Sequence, residues 1–506
     1  MTTIVNTKIG MSRDVPRIWL EGYKLVRAGL KIGSKYGLIK GDADSEHLEF
    51  KEVDADFTGP AFSVSKRERN GITTPLIEIR TNLLKTVFKN IERVKVAIRL
   101  GRILVTSNYI ETRIRERITR LMTKLRNKEK LGVLSLFHGG GVIDKALHSG
   151  LRRVGLDSFV QVGVEMDSDY LDSSLRNNPE IWTGDSIAIC SDIRDVNFGR
   201  NAPQADICIA GIPCTSSSKA GRAKNKNKII EEHETAGTLF MDFLEAVKAT
   251  NPAIIELENV VEYSNSAGMA VIRSVLSSLG YVLYEGVLTG SDFGALEDRR
   301  RMVVIAITRG LDIEFDFSKL RSVKKKEEML SDVLENIPLD SDLWKPFEYL
   351  AKKEIRDKAA GKNFARQLLT GKEPTCGTIG RGYSRCRSTE PFILHPTNPQ
   401  LSRLLTPSEH ARVKGVPLEV INGLSNTTAN EVLGQSGIFP KFVSVNTHLG
   451  VLLCSLVDVE AQPEAYEGIV IPFRIRKEDV VSEFTAISNV DPKALKANPE
   501  LQAMLF

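Results

Sequence analysis

The chain has 506 residues, 42% of them apolar and 26% charged, the ordinary balance of a globular protein, and its length calls for about two to four domains. A formal net charge of +5 is too mild to identify a nucleic-acid partner by itself. There is no run long and apolar enough for a membrane span, Met1–Asn6 lacks a signal-peptide layout, and the six cysteines are scattered without zinc-type spacing; a cytoplasmic chain with reduced thiols and no metal is expected.

Residues 1–108 read as short strands and turns with one brief helix in each half. Pro16-Arg17-Ile18-Trp19-Leu20 and Pro75-Leu76-Ile77-Glu78-Ile79 open strand-like runs 59 residues apart. At that offset Leu25 matches Leu84, Ile32 matches Ile91 and Ile39 matches Ile98, a shared apolar frame that predicts a duplicated strand–helix–strand unit. Trp19-Leu20-Glu21-Gly22 and Ala28-Gly29-Leu30 resemble the small swapped-hairpin barrels of the AbrB and SymE type. That resemblance implies a single-chain pseudo-dimer that binds DNA; the alternative is a packing module with a protein partner or self-association. Residues 109–130 form a basic linker helix, with Ile110, Ile114, Ile118 and Leu121 on one face and Arg113, Arg115, Arg117, Arg120, Lys124, Arg126, Lys128 and Lys130 on the others. Those cations are either a solvated face or a phosphate-contacting one.

From 131 to 310 the chain alternates apolar strands with amphipathic helices. Strands are predicted at Leu131–Phe137, Phe159–Glu165, Ala205–Ala210, Ala253–Leu257, Tyr281–Leu288 and Met302–Thr308, with helices such as Glu234–Ala249 and Met269–Leu279. This rhythm predicts a doubly wound, Rossmann-like α/β domain. It is lost over 311–400, where a Gly- and Arg-rich stretch follows a charged one. Helical patterning returns within 401–460, at Thr406–Lys414 and Lys441–Leu456. The extension 461–506 offers a strand-like Gly468–Ile475 and a short helix, with no readable chemistry.

Three groups of residues carry chemistry. Ser135-Leu136-Phe137-His138-Gly139-Gly140-Gly141 follows a strand and precedes a helix, where glycines let the backbone approach a ligand. Glu165 ends the next strand and Asp192 a later segment; a carboxylate at the first place can hold ribose hydroxyls, and one at the second can accept from an exocyclic amine. Together they look like an adenosine pocket. Ala210-Gly211-Ile212-Pro213-Cys214 and Leu257-Glu258-Asn259-Val260 each end an apolar run. A cysteine behind a rigid proline and a carboxylate on a neighbouring strand end can activate a pyrimidine: the thiolate adds to a ring carbon while the acid holds the proton that makes that carbon electrophilic.

In order over residues 133–455, these motifs resemble the DNA cytosine-C5 methyltransferases. Leu136 to Gly141 stands at that family's first motif, Pro213-Cys214 at its nucleophile loop and Glu258-Asn259-Val260 at its acid. Glu297-Asp298-Arg299-Arg300-Arg301 falls where Gln-x-Arg-x-Arg is usual, Leu404 to Pro417 fits a late motif, and Gly434-Gln435-Ser436-Gly437 replaces Gly-Asn-Ser-Val. Further departures are Ser135 for Asp, His138 for a small residue and Thr215 for Gln.

The resemblance implies an S-adenosylmethionine-dependent methyltransferase domain with an inserted target-recognition domain at 311–400, acting on a flipped-out cytosine in double-stranded DNA. It assigns catalysis to Cys214, Glu258, Arg299 and Arg301, and cofactor binding to Phe137, Gly139, Gly141, Glu165, Asp192, Gln435 and Ser436. Nucleic-acid contacts are expected from Ser218 in the Ser-rich turn and from Arg381, Tyr383, Arg385, Arg387, Ser388 and Thr389, a stretch able to place guanidinium forks on guanine edges. Two other readings stay open: a tRNA cytosine-C5 methyltransferase, and a DNA-binding regulator with a weakened cofactor pocket.

Overall fold

The structure, a computed structural model, describes residues 1–41, 47–89, 91–199, 201–213, 237–362 and 364–471. Two compact units are present, Met1–Glu116 and Arg117–Phe506.

The first unit is built of a six-stranded and a four-stranded sheet around one apolar core. Val15–Glu21 pairs antiparallel with Ile72–Arg80, with Trp19 opposite Glu78, the residue 59 positions later. The strands matched by the sequence offset therefore lie side by side about their own equivalent residues. Leu25 and Leu84 occupy matching places in the short helices Tyr23–Arg27 and Leu83–Val87, and both are wholly buried. The other two matched pairs break the frame. Ile32 and Ile39 are 49% and 48% exposed, whereas Ile91 and Ile98 are buried. A register shift between Leu38 and Lys40 accounts for Ile39, since one extra residue turns a side chain to the opposite face.

The second unit centres on a seven-stranded sheet in the order Ile187–Cys190, Ser158–Glu165, Leu131–Leu136, Ile207–Ala210, Ile254–Asn259, Arg300–Thr308, Tyr281–Thr289. Only Arg300–Thr308 runs against the others. Each strand alternates faces. Leu131, Val133 and Ile254 pack under the helices Val142–Arg152 and Phe439–Ser455, while Leu134, Leu136 and Ile255 pack under Leu239–Thr250 and Ala267–Ser278. This is the doubly wound arrangement the strand–helix rhythm predicts. The helix expected after Gly141 is Val142–Arg152, whereas Ile187–Cys190, a short edge strand with little burial, and the helices Ser168–Asn177 and Asn426–Gln435 were not expected.

The basic Tyr109–Asn127 helix is not simply a solvated or phosphate-seeking face. Arg117 is 2% exposed: its guanidinium donates to the Leu279 and Gly280 carbonyls at 3.0 and 2.9 Å and lies 3.8 Å from the centre of the Tyr281 ring. Arg120 and Lys124 both reach the buried Asp206, at 3.1 and 2.6 Å. These three cations anchor the helix to strand ends of the sheet and are committed there.

The stretch expected as an inserted domain departs from its predicted boundaries. Leu311, Ile313, Phe315, Phe317 and Leu320 pack into the core of the large sheet. Beyond them, Gln367–Leu369, Pro391–Leu394 and Ser402–Arg403 form a small sheet whose last strand lies past residue 400, and Glu348–Ala359 is a helix. Near the end of the described chain, Ile469–Val470 pairs with Arg321–Ser322; the rest of the strand expected to reach Ile475 lies outside the described residues, as does the short helix. No single described helix is long and apolar enough to cross a membrane.

Candidate active site

Four strands of the large sheet end side by side, and their C-terminal ends carry the motifs. After Leu131–Leu136 the chain turns through Phe137, Gly139 and Gly141, all at positive φ of 59°, 59° and 72°. Glu165, ending the neighbouring strand, accepts the Gly139 N–H at 2.7 Å on one oxygen and the Asp167 N–H at 2.9 Å on the other. Its carboxylate is thereby fixed beside the glycine loop with lone pairs to spare. The two departures in this motif explain each other. His138 is buried, with Nδ1 at 2.9 Å from Ser135 Oγ and 3.1 Å from Asp144 Oδ2, and Nε2 at 2.7 Å from Ser174 Oγ.

Gln435 ends the Asn426–Gln435 helix next to this loop. A Cβ on Gly139 would sit 3.2 Å from Gln435 Nε2, and that buried nitrogen has no hydrogen-bond partner. A buried amide donor with nothing to donate to, a glycine cradle and a fixed carboxylate fit a ligand carrying both acceptors and hydroxyls. Two predicted contacts are committed elsewhere. Ser436 Oγ donates to the Leu433 carbonyl at 2.8 Å, closing its helix, and Asp192 is held by Arg194 through Nε at 2.9 Å and Nη2 at 2.5 Å. That pairing holds the Asp192 carboxyl below its ordinary range.

Glu258 lies near the end of Ile254–Asn259, with Oε1 3.2 Å from Arg301 Nε and both side chains largely buried. The next residue, Asn259, donates to the Ile212 carbonyl at 3.1 Å. The acid and the turn leading into Cys214 are thus tied by one hydrogen bond, a positioning role that the motif alone did not show. Cys214 and Ser218 themselves lie outside the described residues.

Arg299 does not join Glu258. It is 5% exposed, 3.6 Å from Glu297, and donates to the Ile379 carbonyl at 3.3 Å. Glu297 also receives Lys414 at 3.1 Å and the Ile379 N–H at 3.1 Å. Burial alone would raise the Glu297 carboxyl, but Lys414 and Arg299 hold it low. Arg299 therefore clips the Ile379 loop to the sheet.

A model of the family described as C-5 cytosine-specific DNA methylase matches residues 131–443, well over half of the chain. The chain belongs to that family. The chain is 26% identical over 249 residues to the Type II methyltransferase M.SsoII of Shigella sonnei, a match covering 48% of this chain and 62% of that enzyme. It is 28% identical over 279 residues to M.NlaX of Neisseria lactamica, covering 53% of this chain and 83% of that one. The crystal structure of S. pombe Dnmt2 methyltransferase superposes with a TM-score of 0.50 at 19% identity, over 64% of this chain and 98% of that one, which shows the shared fold. Membership implies a methyl donor.

The segment expected to read DNA divides. Arg385, Arg387 and Thr389 are exposed and Ser388 is partly so. Arg381 is exposed but leans over the Tyr170 ring at 5.2 Å, 3.7 Å from Asp167. Tyr383 is a correction: it is wholly buried, donates to the Pro391 carbonyl at 2.8 Å and accepts the Leu405 N–H at 2.9 Å. It is a core residue of the small sheet and presents nothing to a nucleic acid. The sequence reading also missed Lys414, Lys441 and Glu256, charged residues with no exposed surface. Their only signal was a charge inside an apolar period, at Glu256 between Ile255 and Leu257 and at Lys441 beside Phe442.

Proposed function

We propose that this chain transfers a methyl group from S-adenosylmethionine to C5 of cytosine in a specific sequence of double-stranded DNA, with Cys214 as nucleophile. The observation that carries this reading is the Glu258–Arg301 pair at 3.2 Å, coupled through Asn259 to the Ile212–Pro213 turn. These groups open at the same strand ends as Glu165 and the glycine loop. The cofactor supplies an electrophilic methyl group. Glu165 would hold its ribose, Gln435 Nε2 and the loop amides its amino-acid end, and Phe137 would lie against its adenine.

Cys214 attacks C6 of a cytosine turned out of the duplex, while Glu258 gives its proton to N3 and Arg301 steadies the acid. The C5–C6 pair is thereby made electron-rich at C5, and loss of the C5 proton after transfer lets the cysteine leave. The exposed Arg385, Arg387 and Thr389 and the partly exposed Ser388 would contact the duplex, consistent with phosphate and base-edge donors.

Methylome sequencing of DNA from cells expressing the chain tests this. C5-methylcytosine in one recurrent sequence is the expected result; unmodified DNA, with or without modified tRNA, would remove it. Within the pocket, Glu165→Ala should weaken S-adenosylmethionine binding by about 1–3 kcal/mol in calorimetry, the scale of losing charge-assisted hydrogen bonds.

A further inference from the structure

Behind Glu258 lie two ionisable groups that no step above uses. Alternate residues of a strand share a face, so Glu256 and Glu258 project to the side packed by the Val142–Arg152 and Phe439–Ser455 helices. Lys441, in the first turn of Phe439–Ser455, is wholly buried and its Nζ has no hydrogen-bond partner. Glu256 is equally buried, with the Asn446 side chain of the same helix beside its carboxyl. Glu258 attracts the Lys441 charge, and Arg301, Arg299 and Lys414 oppose it; Glu256 feels Lys441 from the same strand as Glu258 and feels Asp144 from Val142–Arg152. A lone buried ammonium is costly and is kept only where its charge has a use or a partner. The Lys441 ammonium lies 4.8 Å from the centre of the Phe442 ring, and the acids on the strand face that its helix covers are Glu256 and Glu258.

We propose that Lys441 is a positioning residue for Glu258: its ammonium stabilises, from within the core, the carboxylate charge that forms there as the base is attacked. This rests on the functional reading above. When the Cys214 thiolate forms the S–C6 bond, the C5–C6 π pair moves to join C5 and C4, and the C4–N3 π pair goes to N3. N3 takes the Glu258 proton. The negative charge that entered on sulfur ends on Glu258, in a buried site where a nearby cation acts strongly. Arg301 meets that charge at one oxygen; Lys441 is a second cation, and a titratable one. Burial pushes Lys441 down to about 7 against the pull of Glu258, and pushes Glu256 up to about 8. The help from Lys441 is therefore present below about 7 and is lost as pH rises through that value. Because Glu256 is largely neutral there too, replacing Lys441 by an apolar side chain leaves no uncompensated carboxylate.

The test is methyl transfer by the full chain against pH, for wild type, Lys441→Met and Lys441→Arg. Wild-type kcat should fall as pH rises through about 7. Lys441→Arg, whose cation does not titrate in that range, should keep the rate and lose that limb. Lys441→Met should run on the order of 10-fold slower at pH 6 with KM for DNA unchanged, and should also lack the limb. The Lys441 ε-methylene resonance, assigned by its disappearance in Lys441→Met, should titrate near 7. Should the methionine variant fail to fold, the arginine variant and the resonance decide. A limb unchanged in Lys441→Arg, a methionine variant with the wild-type rate, or a resonance titrating above about 10 would overturn the proposal. A wild-type chain that methylates no DNA at any pH would instead overturn the functional reading.

Discussion

Cys214→Ala should abolish methyl transfer, by at least about four orders of magnitude, the scale on which covalent enzymes respond to loss of the nucleophile. The substitution removes one sulfur atom, so fold and DNA binding should persist. A duplex carrying 5-fluorocytosine supplies the sharper readout. Fluorine at C5 blocks the elimination that frees the cysteine, so the wild-type chain should form a denaturant-resistant adduct and the alanine variant none. Cys208 is the internal control. It lies six residues earlier in the same strand–turn, is wholly buried, and burial pushes its thiol far up. It cannot supply a thiolate near neutral pH, and Cys208→Ala should leave the adduct intact. An adduct that survives Cys214→Ala would assign the chemistry to another residue.

What made this site legible was its position at strand ends. Motifs such as Gly211-Ile212-Pro213-Cys214 and Leu257-Glu258-Asn259-Val260 stand out because an apolar run stops where chemistry begins, and parallel strands bring such stops together. Glu165 was legible for the same reason. Residues whose role depends on distant partners were not. Tyr383 sits in an Arg- and Ser-rich stretch that reads as a loop contacting nucleic acid, yet its ring completes the core of a small sheet made from three separated segments. Arg117 reads as one cation in a basic run, yet it fills the space over Tyr281. Arg299 and Arg301 are two residues apart and look interchangeable; one clips the Ile379 loop and the other faces Glu258. For the three arginines the deciding fact is a contact more than 40 residues away in sequence, and for Tyr383 it is burial among segments that the fold brings together; local pattern carries neither.

Glu409→Ala should destabilise the small-sheet region by about 3–5 kcal/mol, the cost of leaving one member of a buried ion pair uncompensated. Glu409 has no exposed surface and takes the Arg403 guanidinium on both oxygens, at 2.6 and 2.8 Å. The same carboxylate accepts the Thr406 N–H at 2.8 Å, completing the capping box of Pro407–Lys414, and the Glu335 N–H at 2.7 Å from across the inserted segment. One side chain therefore joins the segment, the late strand Ser402–Arg403 and the helix that delivers Lys414 to Glu297. The Arg403 guanidinium also lies 5.1 Å from the centre of the Trp344 ring, so Trp344 emission reports the loss locally. Denaturation followed at Trp344 should show the drop. Arg403→Met combined with Glu409→Leu should recover much of it, because no charge is then left stranded. Equal losses in the single and double variants would mean that the backbone hydrogen bonds of Glu409, and not its ion pair, hold this region to the sheet.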